Sequence, residues 1–274
     1  MVSREVLKEV YQDTVAKCNT RYRALMPPDS SIYSYDAHKS DRIVSRYGPS
    51  HMVVRVVNMD TLVACEQYRD RKVCALNMAS FITPGGGVVN GAMAQEEELF
   101  RRTNYFQTLL KSMYPMHRPN VVYSPRVTII KDHKYQNHHD PFSCAFIAAA
   151  AIKNPRINGD QYHNLTDHDL MTSVVDNLFS CANYYQYDVL VLGALGCGAY
   201  HNPTRAVIEI FNEALKRYAG CFQEVVFAVY SVKDTNFDQF SQYIKYAPES
   251  LTTETQMSSL FIDSWIDFPP LPEK

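Results

Sequence analysis

Residues 85–97 combine consecutive glycines with a run of acidic side chains. The glycines are Gly85, Gly86 and Gly87, and after a seven-residue spacer come Gln95, Glu96 and Glu97. Adjacent glycines let the backbone approach a ligand closely and adopt positive φ angles. Carboxyl groups placed where the chain becomes helical can serve as a general acid or base. The combination predicts a hydrolase that acts on a phosphate-bearing sugar.

A second glycine-rich loop lies between a predicted strand and a predicted helix. It contains Gly196, Cys197, Gly198, Ala199 and Tyr200. We expect Asn202 to be the N-cap of the helix and Pro203 its first residue. Because free amides at a helix N-terminus attract phosphate, this loop predicts a phosphate site.

The elements around these loops alternate between strand and helix. Apolar runs predict strands at 51–58, 73–78, 127–130, 142–151, 188–195 and 224–230. Apolar side chains at helical spacing predict helices at 4–15, 60–69, 95–113, 164–185, 203–218 and 237–246, with Ser3 and Asp60 as caps of the first two. This alternation predicts an α/β protein with a mixed, mostly parallel sheet covered on both sides. Both glycine loops then leave the carboxyl ends of strands, where such sheets bind ligands, and could face one ligand from two sides.

Composition limits the class of protein. The 274 residues, 46% hydrophobic and 20% charged, fit one large domain or a domain with an extension. We expect residues 1–50 to form an N-terminal helical extension packed on the core, 51–247 to form the core, and 248–274 to form a C-terminal tail. Seven scattered cysteines without a CxxC pair predict reduced thiols in an intracellular protein, cytosolic or nuclear.

The net charge limits which kinds of binding partner are expected. A net charge of −2 gives no broad basic face, so an anionic ligand must be held by local amides and helix ends. We therefore expect neither DNA nor a membrane as a partner, and we expect a monomer. Apart from His138, His139 and Asp140 there is no cluster of potential metal ligands, and we predict no metal and no cofactor.

Two separated motifs resemble those of the microbial-type poly(ADP-ribose) glycohydrolases, which are built on the macrodomain fold. The first motif runs from Asn77 through the three glycines and Asn90 to Gln95 and the glutamates, and the second covers residues 192–203. The resemblance extends from about residue 50 to 230, and an N-terminal helix is also typical of the family. It implies a macrodomain-like three-layer α/β/α fold. It also implies hydrolysis of ribose–ribose O-glycosidic bonds in poly(ADP-ribose), with terminal ADP-ribose released in preference to internal cutting.

The resemblance also implies roles for individual residues. By matching position, Glu97 corresponds to the catalytic carboxylate and Glu96 to the neighbour that holds the distal ribose. The three glycines would lie against that ribose and the diphosphate, and residues 196–200 would form the second diphosphate loop, with Tyr200 near the ribose. Asn77 would be a ribose ligand, and Asn90 and Gln95 join the candidate substrate-binding residues as part of the first motif.

The reaction needs a proton for the leaving hydroxyl and a water at an anomeric carbon with oxocarbenium character. A single carboxyl, Glu97, could act as acid and then as base. Three adjacent glutamates and a nearby diphosphate would supply the negative potential that raises a carboxyl pKa. The diphosphate, held by amides of both loops, would also stabilise the positive charge of the transition state.

Each motif has a second interpretation. Glutamates in a first helical turn also complement the helix dipole, and either glycine loop could be a plain turn. Glu98 extends the acidic run, so spacing alone leaves the catalytic glutamate open by one residue, although counting from the glycines favours Glu97. Cys197 could be a nucleophile, but no basic partner for it is apparent. A non-hydrolytic ADP-ribose-binding module and an ADP-ribosyl-protein hydrolase are the alternative functions.

Overall fold

The computed structural model describes residues 2–34, 43–231 and 235–246. Within them, the strands are β1 (Ser31–Tyr33), β2 (Val53–Val57), β3 (Val73–Met78), β4 (Val121–Lys131), β5 (Asn137–Ala149), β6 (Ile157–Asn158), β7 (Gln161–Tyr162), β8 (Val189–Leu192) and β9 (Glu224–Ala228). The helices are α1 (Arg4–Asn19), α2 (Thr61–Glu66), α3 (Gln95–Arg102), α4 (Leu165–Tyr184), α5 (Thr204–Arg217) and α6 (Asn236–Tyr243). The predicted tail at 248–274 lies outside the described residues.

Seven of the strands form one sheet in the order β1-β4-β5-β3-β8-β9-β2, and β6 and β7 form a separate two-stranded hairpin. The pairings from β5 through β3, β8 and β9 to β2 are parallel, while β1 and β4 are antiparallel to their neighbours. The four inner strands β5, β3, β8 and β9 carry apolar residues on both faces, which suits strands covered by helices on both sides. The predicted mixed, mostly parallel sheet is confirmed.

Helices cover both faces of this sheet. On one face, α4, α5 and α6 pack over a core that includes Phe179, Phe211 and Phe240. On the other face, α2 and α3 bury Leu62 and Leu99 against the same strands. The result is the three-layer α/β/α arrangement predicted for a macrodomain-like fold.

Helix α1, near the N-terminus of the chain, packs on α3 and β4. The Ser3 side chain accepts a 3.3 Å hydrogen bond from the amide of Val6, which caps α1 as predicted. The hydroxyl of Thr14 donates to the backbone carbonyl of Arg101, and the buried ammonium of Lys131 lies 2.8 Å from a carboxylate oxygen of Asp13. Helix α1 therefore braces α3, the helix that carries the glutamates.

The helix predicted over 95–113 is shorter than expected and ends at Arg102. The next residue, Thr103, is extended and forms an isolated antiparallel bridge with Ile129. The amide of Asn104 then donates to the carbonyl of Thr128, and the Thr128 amide donates to the Asn104 side chain. These bonds join residues 103 and 104 to β4. Pairing with this strand replaces the helical continuation that the apolar spacing predicts.

The N-terminal 50 residues are helical only in part, because β1 lies within them and pairs with β4 at one edge of the main sheet. The proposed division at residue 50 stays a prediction. None of the helices in the described residues is long and apolar enough to cross a membrane.

Candidate active site

The two glycine loops leave neighbouring strands at the same edge of the sheet. Residues 79–94 follow β3 and residues 193–203 follow β8, and these strands pair in parallel. The backbone amide of Phe81, in the first loop, donates a 3.2 Å hydrogen bond to the phenol oxygen of Tyr200, in the second. The two loops therefore lie side by side, and we call the region between them the crevice.

Glu96 is held by three donors, one from β3 and two from the first loop. Its Oε1 accepts hydrogen bonds from Asn77 Nδ2 at 3.3 Å and from the Gly85 amide at 3.2 Å. Its Oε2 accepts from the Ser80 amide at 2.7 Å. The residue is only 3% exposed, so its carboxyl orientation is fixed by the protein.

The pKa of Glu96 is raised to about 8 by burial, with a smaller contribution from the neighbouring charge of Glu97, against the lowering effect of the three donors. Desolvation is the largest contribution because a buried carboxylate loses its hydration. The acidic neighbour is therefore a minor cause of this raised pKa, and the corresponding prediction for Glu97 stays a prediction.

Glu97 lies beside Glu96 and is held by two donors. Its Oε1 accepts a 2.8 Å hydrogen bond from the Gly87 amide, and its Oε2 accepts a 3.2 Å bond from the Ala94 amide. A Cβ atom added at Gly86 would lie 2.5 Å from Oε1 of Glu97 and 3.3 Å from Oε2 of Glu96. Both carboxyl groups therefore converge on Gly86, whose φ of +53° also favours glycine.

The amides of the first glycine loop are already bonded within the protein. Gly85 and Gly87 donate to the two carboxylates, and Gly86 donates to the carbonyl of Thr83 at 3.0 Å. The expectation that the amides of both loops clamp a diphosphate is thus corrected for the first loop. Its close backbone approach serves the carboxylates, which need several donors when they are buried.

Glu98 is turned away from the crevice. Its Oε1 accepts from Arg101 Nη2 at 2.8 Å and from the Tyr135 hydroxyl at 2.8 Å. These bonds direct the Glu98 carboxylate toward Arg101 and Tyr135 instead of toward the glycine loop. This placement favours Glu97 over Glu98 in the choice that spacing left open.

The Gln95 side chain is engaged within the protein, whereas the buried Oδ1 of Asn77 has no hydrogen-bond partner in the described residues. The Gln95 side chain accepts from the Met78 amide at 2.9 Å and donates to the Leu76 carbonyl at 2.7 Å and to the Thr61 hydroxyl at 3.2 Å. Both of its amide hydrogens are used, so it joins the start of α3 to β3 and α2. Asn77 is fully buried and donates to Glu96. We interpret Gln95 as a positioning residue, and the ribose contact that the resemblance implies for Asn77 stays a prediction.

The second glycine loop, in contrast, offers free amides. Within the described residues, the backbone amides of Gly198, Ala199 and Tyr200 donate no hydrogen bond. Gly198 is exposed, and a Cβ atom added there would meet nothing within 4 Å. These three consecutive amides, which lie just before α5 and have no partner in the described residues, suit the binding of a phosphate.

Asn202 does not cap α5, which corrects the prediction. The N-cap is Pro203, without a side-chain hydrogen bond, and the helix begins at Thr204. The Asn202 side chain instead donates to the carbonyls of Ile152 and Gly196, at 2.7 and 3.1 Å, and accepts from the Tyr162 hydroxyl at 2.8 Å. The Asn202 side chain therefore holds the second loop in place, because these buried polar groups need hydrogen-bond partners.

The remaining candidates lie apart from the carboxylates. Asn90 is exposed in the short 3-10 turn Val88–Asn90, next to Gly91, which packs on the backbone of Arg4. Cys197 Sγ donates to the Leu195 carbonyl at 3.7 Å. His138 Nε2 lies 2.9 Å from Glu66 Oε1, and in the described part of the chain no group of three potential ligands could hold a metal ion.

Sequence reasoning missed the contribution of Ser80 as an amide donor to Glu96, and it missed Phe81 and Arg118. The Arg118 guanidinium lies 4.6 Å from the centre of the Phe81 ring, and its Nη1 donates to the Ala151 carbonyl at 2.9 Å. Arg118 is distant from both glycine motifs in the sequence, and no local pattern could have placed it beside them.

Comparison with known families gives one match. The family model described as the catalytic domain of microbial-type PARG matches residues 11–132. This region contains the first glycine loop and the glutamates, so the resemblance predicted from the motifs is confirmed. Comparison with curated proteins gives no match.

Solved structures share the fold. Poly(ADP-ribose) glycohydrolase from Thermomonospora curvata aligns with a TM-score of 0.76 at 23% identity, over 87% of this chain and 99% of that chain. The same enzyme bound to the inhibitor ADP-HPD aligns with a TM-score of 0.74 at 24% identity, over the same shares of the two chains. Poly(ADP-ribose) glycohydrolase from Deinococcus radiodurans in complex with ADP-ribose aligns with a TM-score of 0.69 at 24% identity, over 81% of this chain and 96% of that chain. At these identities the similarity establishes the fold.

Proposed function

We propose that this chain, whose residues 11–132 match the microbial-type PARG catalytic domain, is a glycoside hydrolase that releases ADP-ribose from poly(ADP-ribose). The family match and the shared fold support the predicted enzyme class and the predicted activity. The roles of individual residues and the preference for terminal units are proposed from the site itself.

The observation that carries the proposal is the pair of carboxyl groups at Gly86. Glu96 and Glu97 are both more than nine-tenths buried, and all four of their carboxyl oxygens accept backbone or side-chain donors. Glutamates that merely complement a helix dipole extend into solvent and do not need such donors. Most glycoside hydrolases use a pair of carboxyl groups at the bond that is cleaved, and here both members of the pair are held in place by the protein.

Glu97 is the proposed general acid and base. Each of its oxygens accepts only one hydrogen bond, so a second lone-pair position on each remains for the substrate. Glu97 would first donate a proton to the leaving hydroxyl as the bond to the anomeric carbon breaks. It would then accept a proton from the water that attacks the same carbon, which returns the carboxyl to its starting state.

Glu96 is the proposed partner that keeps a proton in the pair. Its Oε1 already accepts two donors, and its raised pKa of about 8 favours the protonated form at neutral pH. Two neighbouring carboxyls titrate as a unit, so the pair is expected to hold one proton when substrate arrives, and that proton would have to move from Glu96 to Glu97 before Glu97 donates it to the leaving hydroxyl. In this arrangement Glu96 also contacts the hydroxyls of the distal ribose, as the family resemblance implies.

The diphosphate of the substrate is assigned to the second loop. The free amides of Gly198, Ala199 and Tyr200 point to this role, and the N-terminus of α5 adds a favourable dipole. The negative diphosphate would then lie near the developing positive charge on the distal ribose and stabilise it. Tyr200, tied to Phe81 of the first loop, would border that ribose.

The deciding experiment is an assay of free ADP-ribose released from poly(ADP-ribose) by the full chain. Rapid release with limiting enzyme supports the hydrolase. Stoichiometric binding of ADP-ribose without turnover would instead identify a binding module, and release only from ADP-ribosylated proteins would identify an ADP-ribosyl-protein hydrolase. The length distribution of the remaining polymer tests the preference for terminal units. A cytosolic or nuclear location and a monomeric state stay predictions.

A further inference from the structure

Arg118 differs from the other basic side chains that are not exposed. Among residues 2–34, 43–231 and 235–246, it is the one half-buried or buried lysine or arginine without a carboxylate within 4.0 Å. The others each form a salt bridge: Lys8, Lys17, Arg46, Arg71, Arg101, Arg102, Lys131 and Arg205.

Arg118 is nevertheless fixed in place. Its Nη1 donates to the Ala151 carbonyl just past the end of β5, and its guanidinium lies over the Phe81 ring. Within the described residues its remaining N–H groups have no hydrogen-bond partner. Burial lowers the pKa of Arg118, whereas Tyr200 and, to a smaller extent, the charge of Asp167, which lies beyond salt-bridge distance, act in the opposite direction.

This position lies between the two loops of the active site. Phe81 follows Ser80, whose amide binds Glu96, and the Phe81 amide itself binds Tyr200. Ala151 packs against the second loop, because a Cβ atom added at Gly196 would lie 2.6 Å from the Ala151 Cβ. The guanidinium therefore borders the crevice on the side of β5, next to the proposed ribose site.

We infer that Arg118 binds a phosphate group of the substrate, an inference that rests on the proposed function. A half-buried charge is stable when it is paired, and here the protein supplies the orientation but no anion. The planar guanidinium with several free N–H groups matches the oxygens of a phosphate, and the ring beneath it holds the plane in one orientation. The phosphate could belong to the ADP-ribose unit in the crevice or to the next unit of the polymer.

The test compares Arg118→Gln with wild type in two binding experiments. Calorimetry measures the Kd for free ADP-ribose, which requires no turnover. Binding of a short ADP-ribose oligomer is measured with Glu97→Gln as the background, so that the oligomer stays intact. Loss of charge-assisted hydrogen bonds predicts binding that is weaker by about 10- to 100-fold. Arg118→Lys keeps the charge but not the planar guanidinium, so its affinity for each ligand should lie between those of wild type and Arg118→Gln.

The two ligands separate the two sources of phosphate. Weaker binding of both ligands assigns Arg118 to the unit in the crevice, and weaker binding of the oligomer alone assigns it to the next unit. Arg126→Gln is the matched control, because Arg126 is exposed partway along β4 and forms no salt bridge in the described residues. The thermal midpoint of each unliganded variant reports on folding.

Unchanged affinity of Arg118→Gln and Arg118→Lys for both ligands overturns the inference. That result differs from a failure of the proposed function, in which wild type would bind ADP-ribose but release none from polymer. In that case weaker ADP-ribose binding by Arg118→Gln would still support the phosphate contact.

Discussion

The backbone amide of Gly87 donates a 2.8 Å hydrogen bond to Oε1 of Glu97. A Cβ atom added at the preceding residue, Gly86, would lie 2.5 Å from the same oxygen. The Ala94 amide donates to the second oxygen of Glu97. The glycine loop and the first turn of α3 therefore fix one carboxyl from two sides. Such fixation before substrate arrives is how a site places a proton donor without reorganisation.

The first prediction concerns the identity of the catalytic glutamate. Glu97→Gln should lower the rate of ADP-ribose release by about 10²- to 10⁴-fold, because a general acid typically contributes that much. The Kd for ADP-ribose should change little, since the shape of the side chain is kept. Initial rates on polymer and calorimetry on ADP-ribose measure the two quantities.

Glu98→Gln is the matched control, since it makes the same change one residue further along α3. Glu98 bonds to Arg101 and Tyr135, outside the crevice, so its rate should stay near that of wild type. A strong loss in Glu98→Gln together with a normal rate in Glu97→Gln would show that the assignment is off by one residue.

The second prediction separates the two glycine loops. Gly198→Ala should weaken ADP-ribose binding and leave the thermal midpoint near that of wild type, because the added methyl group meets no protein atom within 4 Å. It would instead meet a ligand on the free amides. Gly86→Ala should lower the thermal midpoint of the unliganded protein, since its methyl group would lie 2.5 Å from Glu97 Oε1 at a φ of +53°. Calorimetric titration and thermal melting test the pair, and normal affinity of Gly198→Ala would remove the second loop from the binding site.

The third prediction concerns stability and pH. The folded-state pKa of Glu96 is about 8, above its ordinary value of 4.5. Between these values the folded state keeps a proton that the unfolded chain has released, so the free energy of unfolding falls as pH rises. The slope from one such group is at most about 1.4 kcal/mol per pH unit.

Glu96→Gln removes this titration, so its free energy of unfolding should fall less steeply than that of wild type from about pH 5 to 8. Denaturant melts at several pH values give both curves. Asp176, whose pKa is also raised by burial, contributes equally to both proteins and cancels in the difference. Parallel curves would show that Glu96 is not protonated in the folded state in this range.

The fourth prediction concerns ligand linkage. A ligand that binds only the folded state raises the free energy of unfolding by about 2.7 kcal/mol at a hundredfold excess over Kd. ADP-ribose should therefore raise the thermal midpoint more than ADP, and ADP more than AMP, because AMP lacks the diphosphate and the distal ribose. Thermal melting at matched concentrations measures the order. Equal shifts for AMP and ADP-ribose, or no shift for either at millimolar ligand, would contradict the assignment of the loops.

Local sequence determined the elements that carry the site. Short apolar runs predicted β3, β8 and the second part of β5, together with the glycine loops that follow β3 and β8, while the polar start of β5 at 137–141 was missed. Ser3 and Asp60 cap their helices as predicted. These features depend on backbone preferences and on hydrogen bonds within a few residues. The acidic run after the glycines likewise pointed to the carboxyl pair.

Tertiary structure decided how the polar side chains are used. Asn202 fits a cap by type, but its amide binds the carbonyls of Ile152 and Gly196, and Gln95 fits a ligand contact but joins α3 to β3. Arg118 reaches the crevice only because β5 and the first loop meet there. A buried polar group takes whichever partner the packed chain brings within about 3 Å, and that partner is set by contacts between distant residues. For this reason the sequence located the two loops, while only the fold showed that one loop holds carboxylates and the other leaves its amides free.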